Sequence, residues 1–113
     1  MRGSFFVPTL SEEMEVEMPK GYIVVSYRGS TNDEKLNNYA PKALEAMTNA
    51  GAKFIARGMP VRTFENGIMQ RTVIAEFDST EAAEAAFTSH AYKAAFALLG
   101  DIKRDVRVIE GLE

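Results

Sequence analysis

The chain has one histidine, His90 in "SHAYKAAF", and no cysteine, which narrows its means of proton transfer and nucleophilic attack. A histidine ordinarily titrates near neutral pH and suits general-base work. His90 follows Ser89, a good capping residue, so it reads either as a catalytic base or as a solvated residue in the first turn of a helix. No carboxylate close by in sequence orients its ring. The second candidate is a pair. Counting back from a two-residue turn at Asn66-Gly67 sets Arg57 opposite Glu76 on one sheet face. There Arg57 would hold an anionic oxygen and Glu76 would move a proton, or the two would form a structural cross-strand ion pair. Pro60 cannot donate a ladder bond, so a bulge at Gly58 and Met59 would shift this pairing by a residue. The same count opposes Arg62 to Arg71, a repulsion that a bound carboxylate or Glu65 would relieve. Tyr22, Ser26, Tyr27, Tyr39 and Tyr92 supply hydroxyls for a substrate pocket, although helical aromatics such as Tyr92 also serve as core. The sequence has no glycine-rich phosphate loop, no Ser-His-Asp pattern and no paired-carboxylate spacing.

The elements that must position these groups are plain in the hydrophobic pattern. "GYIVVSY", from Gly21 to Tyr27, is β-branched and aromatic and reads as a strand. Thr31 and Glu34 have capping-box spacing, and Leu36, Ala40, Ala43, Leu44 and Met47 then recur at helical period up to a stop at Gly51. Pro41 inside that helix is expected to kink or split it beside Tyr39. "KFIARG" and "RTVIAEF" read as strands two and three, joined as a hairpin through Asn66-Gly67. Asp78 and Glu81 open a second helix, Ser89 recaps the chain for a further helical segment through Tyr92 to Gly100, and "VRVIEG" alternates as strand four. This order, strand, helix, strand, strand, helix, strand, is the ferredoxin-like βαββαβ arrangement: an α+β fold with a four-stranded antiparallel sheet and its helices on one face. Ile74 lies on one face of strand three with Val73, Ala75 and Phe77 on the other, and strand one is apolar on both, so the uncovered face calls for a second copy of the chain.

Composition sets the outer bounds. With 113 residues, 46% hydrophobic and 26% charged, the chain has the make-up of one globular domain with one core. Residues 18–111 form that domain, with residues 1–17 an N-terminal tail or added extension and 112–113 a short tail. No apolar run is long enough to span a bilayer. The net charge of −3 is spread along the chain with no basic block, which argues against nucleic acid. Without cysteine, and with one histidine, a metal would fall to carboxylates alone, and no cofactor is called for; lack of cysteine also fits a reducing cytoplasm.

Four stretches, "KGYIVV", "NNYAPKALEAMTNAGAKFIARG", "RTVIAEFDSTEAA" and "SHAYKAA", together resemble the bacterial domain-of-unknown-function family numbered thirteen-thirty. That family has a GYW-type first strand, an "RGG"-like end to strand two, an "IEFPS"-like strand exit and an "SPEY"-like helix break. The likeness runs from Pro19 to about Gly111, with departures at Met59, Asp78 and His90, where the family pattern has glycine, proline and proline. It implies membership of the dimeric α+β barrel superfamily, in which two ferredoxin-like sheets pack face to face. Relatives there include cofactor-independent monooxygenases, muconolactone-type isomerases, stress-responsive barrel proteins and haem enzymes, and the family itself has no assigned general activity. Arg57, Glu76 and Tyr92 match the arginine, glutamate and tyrosine of these motifs. The expectation is a homodimer that binds a small organic acid or carbonyl compound. It would act as a cofactor-independent isomerase, decarboxylase or monooxygenase, or as a non-enzymatic ligand-binding or stress-responsive barrel.

Overall fold

The computed structural model describes residues 19–29 and 32–112. The N-terminal tail over 1–17, the Thr31 half of the capping box and the terminal Glu113 lie outside the described residues. Strands β1 (Gly21–Tyr27), β2 (Lys53–Gly58), β3 (Thr72–Phe77) and β4 (Arg104–Glu110) alternate with helices α1 (Asp33–Asn49), α2 (Thr80–Phe87) and α3 (His90–Phe96) in the expected order. The sheet runs β2-β3-β1-β4, every neighbouring pair antiparallel, which is the ferredoxin-like topology.

Local chemistry explains the boundaries. Asn32 caps α1 by accepting from the Lys35 amide at 3.0 Å. Ser79 and Ser89 cap α2 and α3 in the same way, accepting from Ala82 and Tyr92 amides at 3.0 and 3.2 Å. Pro41 does not split α1, which continues unbroken across it. The missing amide removes one bond, with the Asn37 carbonyl, while Tyr39, Ala43, Ala46 and Met47 stay buried and hold the segment together. A Cβ on Gly21 would lie 2.4 Å from the Ser79 carbonyl oxygen, so only glycine lets the start of β1 meet the start of α2 this closely.

Residues of β1 alternate strictly. Ile23, Val25 and Tyr27 face the helices and join Ala75 and Phe77 of β3 in the core, while Tyr22, Val24 and Ser26 face the opposite, helix-free side. The helices contribute mostly small side chains, Ala43, Ala46, Ala83, Ala86 and Ala95, with Tyr39, Met47, Tyr92 and Leu99 as the larger ones.

The β2–β3 hairpin differs from expectation in a way that decides the site. Asn66-Gly67 does not join the strands as a two-residue turn: the ladder ends at Gly58 and resumes at Thr72. The turn inside the connection is closed by the Gly67 amide on the Phe64 carbonyl at 2.9 Å, with Glu65 at φ 54°. Pro60, lacking an amide, lies just beyond the end of the ladder, in the connecting segment. Arg62 falls in this irregular segment, so it is not paired across a ladder with Arg71. Nor does Arg57 face Glu76. Glu76 pairs with Lys53, Arg57 pairs with Val73, and the register slips between Phe54 and Ala56, leaving Ile55 as a bulge. The extra residue reverses the side on which the following side chains emerge. Arg57 therefore falls on the helix face, with Val73, and Glu76 on the open one, with Tyr22.

Candidate functional site

Alanines on α1 leave space above the sheet. Between β1, β3 and α1 lies a cavity of about 270 Å³, floored by Val25, Tyr27 and Val73 and roofed by Leu36, Ala40 and Ala43. That is just below the ~300–1,000 Å³ of pockets for drug-sized ligands, and suits something smaller.

At one end of the cavity three polar groups meet. The Tyr39 and Tyr92 hydroxyls, brought together from α1 and α3, lie 2.6 Å apart. Arg104, the first residue of β4, donates to both: Nη1 to Tyr39 at 3.2 Å and Nη2 to Tyr92 at 2.9 Å. Its guanidinium also sits 5.6–5.7 Å from the ring centres of Tyr27, Tyr39 and Phe96. The two rings meet edge to face, with centroids 6.2 Å apart.

Counting protons gives this cluster its chemistry. Arg104 only donates, and a phenol keeps its proton at neutral pH. Two hydroxyls therefore bring two protons to a contact that uses one, and no acceptor for the second is found among the described residues. One tyrosine O–H is free for a ligand oxygen. Burial, with a further contribution from Tyr92, pushes the Tyr39 hydroxyl far above the ordinary phenol range, so it serves as a proton-bearing donor. Burial pulls Arg104 down, but the adjacent phenol oxygens of Tyr39 and Tyr92 more than offset this, and the guanidinium stays charged. Among the described residues no carboxylate pairs with it.

Arg57 reaches the cavity from β2 and Arg71 from the position just before β3, and among the described residues the sole carboxylate of the lining is the exposed Asp33. Three arginines against one acid make the cavity basic within an acidic chain. Arg57 stacks on Phe54, its Cζ 5.4 Å from the ring centre.

Of the residues singled out from sequence, Arg57, Tyr39 and Tyr92 line the cavity, as do Tyr27 and Arg71. Glu76, Tyr22 and Ser26 lie on the other side of the sheet. There the Tyr22 hydroxyl donates to Glu76 at 3.0 Å, a bond that raises the phenol's pKa. His90 is exposed as the first residue of α3 and is not among the cavity's lining residues, so it does not meet Arg57 or Glu76. Arg104 was missed because strand four was begun at Val106. Alternation carried back two positions from Val106 would have placed it on the helix face beside Tyr27. Asp105, on the open face, is gripped by Arg107 and Arg28, whose hydrogen bonds hold its carboxyl down at about 2. No group of three or more His, Cys, Asp or Glu side chains able to hold a metal occurs among the described residues, and no helix there is long and apolar enough to cross a membrane.

Sheet order, helices on one face and a polar-ended cavity beneath α1 define a ferredoxin-like α+β protein. Residues 20–112 match the family described as Domain of unknown function (DUF1330), and the chain belongs to that family. Comparison with curated proteins found no match. Solved structures share the fold at low identity. A protein of unknown function from Rhodopseudomonas palustris is 14% identical, with a TM-score of 0.65 over 95% of this chain and 96% of the other. SnoaB, a cofactor-independent oxygenase from Streptomyces nogalater, is 7% identical, with a TM-score of 0.60 over 84% of this chain and 95% of the other. A dimeric ferredoxin-like protein of unknown function from Thermobifida fusca is 13% identical, with a TM-score of 0.57 over 84% and 92%.

Proposed function

We propose that this protein binds a small organic acid or carbonyl compound in the cavity under α1 and acts on it without a cofactor. The observation that carries this reading is the spare tyrosine O–H beside a carboxylate-free Arg104. A charge removed from water needs a counter-charge, and the guanidinium finds none among the described residues. An anionic oxygen of a ligand would supply one, accepting a hydrogen bond from the tyrosine O–H as well.

The same donors would stabilise negative charge that develops on a carbonyl oxygen during reaction. Isomerisation, decarboxylation and cofactor-free oxygenation share that need, since each passes through an enolate. With Asp33 as the sole carboxylate of the lining among the described residues, these groups best suit a step that needs no strong base. In decarboxylation of a β-oxo acid the bond between the α-carbon and the carboxyl carbon breaks. Its electron pair moves onto the ketone oxygen as an enolate, carbon dioxide leaves, and solvent returns a proton to carbon. The oxygenase neighbour supports an enolate-stabilising reading by analogy of fold alone.

Release of carbon dioxide from acetonedicarboxylate, above its spontaneous rate, tests this. Losing both hydroxyls in Tyr39→Phe/Tyr92→Phe is expected to slow turnover by about 10²–10³-fold, the usual cost of losing an oxyanion donor. Each single variant still leaves one O–H with no internal acceptor, so each is expected to cost far less than the pair. Binding with no acceleration would instead support the second reading, a non-enzymatic ligand-binding protein, which the lack of a buried base among the described residues favours.

The acting unit in this proposal is a homodimer joined through the open sheet faces. Val24, Ala56, Ile74 and Ile109 share that face, Ile109 is 55% exposed, and the nearby connection leaves Val61 and Phe64 bare. That a ferredoxin-like neighbour is dimeric supports a dimer of this chain.

A further inference from the structure

The cavity is basic at both ends, and the register shows how the ends are separated. Arg104 stands opposite Tyr27 on β4. On the other side of β1 the Tyr27 amide donates to the Arg71 carbonyl at 3.0 Å, which continues the β1–β3 register to place Arg71 opposite Tyr27 as well. Arg71 and Arg104 thus flank Tyr27, two strand spacings apart, or about 9.6 Å between backbones at ~4.8 Å per strand. Arg57 joins the Arg71 end, since the Ile55 bulge seats it opposite Val73 on the helix face. Tyr27 lies between Arg71 and Arg104, with apolar Val25 and Val73 one step further along the same face. No carboxylate pairs with any of the three arginines among the described residues.

A simple monocarboxylate would satisfy one pole and leave the other facing an apolar chain end. We propose that the natural ligand is two-ended: a short dicarboxylic or oxo-carboxylic acid. One carboxylate lies on Arg57 and Arg71, and the second oxygen group lies on the Tyr39–Tyr92–Arg104 cluster. The apolar floor takes the methylenes between them, and the separation of the poles sets chain length. This assignment rests on the cavity reading above and adds the ligand's second end.

Calorimetric titration of the wild-type protein with glutarate and with pentanoate tests it, because the two acids have equal carbon number and differ by one carboxylate. Glutarate is expected to bind about tenfold tighter or more, as each charge-assisted contact is worth about that factor. Succinate and adipate should bracket it. In Arg57→Gln/Arg71→Gln, with folding verified by thermal unfolding, the two acids should bind alike. Equal affinity of both acids for the wild type, or full glutarate preference in the double variant, would overturn the two-ended ligand while leaving the cavity reading intact. Binding of neither acid to the wild type would overturn both.

Discussion

Arg104→Met is expected to weaken glutarate binding by about thirtyfold or more and to leave the unliganded protein folded. Removing one partner of a desolvated, hydrogen-bonded charge pair costs ~2–5 kcal/mol, and each ~1.4 kcal/mol is a factor of ten. The stability side of the prediction is less usual. Without ligand, Arg104 is a partly buried cation whose hydrogen-bond partners are neutral hydroxyls. Methionine keeps apolar volume against Tyr27, Tyr39 and Phe96 and removes the desolvation penalty, while Tyr39 and Tyr92 can still bond to each other. The lost hydrogen bonds and the relieved charge should then nearly cancel, to within about 1 kcal/mol. Such a split, function lost and stability kept, marks a residue placed for a ligand. Thermal unfolding and calorimetry on one preparation decide it: a large fall in stability with unchanged affinity would make Arg104 a structural clamp.

Ile74→Lys is expected to turn the proposed dimer into monomers. Ile74 pairs with Val24 on the helix-free face, at the middle of the β1–β3 ladder. Two-fold symmetry would bring each substitution in twice, so two cations would be desolvated in one apolar contact. At ~2 kcal/mol or more for each disrupted central contact, the dissociation constant should rise by about 10³-fold. Sedimentation equilibrium reads this directly. A wild type that is already monomeric at high concentration would refute the homodimer.

How much of this was legible in the sequence follows from which signals are local. The β-branched and aromatic run Gly21–Tyr27, the helical period from Leu36 to Met47, the acidic start at Asp78 and Glu81 and the serine cap at Ser89 are local, and they specified the ferredoxin-like order. The pairing of β2 was not legible. An isoleucine is a normal strand residue, and nothing in "KFIARG" announces that Ile55 is the extra one. One unannounced residue moved Arg57 to the opposite face from Glu76 and dissolved the expected catalytic pair. Tyr39 and Tyr92 were named as candidates singly, but their meeting is tertiary: 53 positions separate them, and Arg104 joins them from a third element. His90 drew notice because histidine is chemically versatile, yet its place directly after a serine cap puts it at an exposed helix start.

What occupies the cavity decides its role, so the decisive measurement is a crystal structure of the protein grown in saturating glutarate. The prediction is one carboxylate oxygen within about 2.7–3.1 Å of a Tyr39 or Tyr92 hydroxyl and of the Arg104 guanidinium. An empty cavity, or glutarate bound only on the open sheet face, would contradict it.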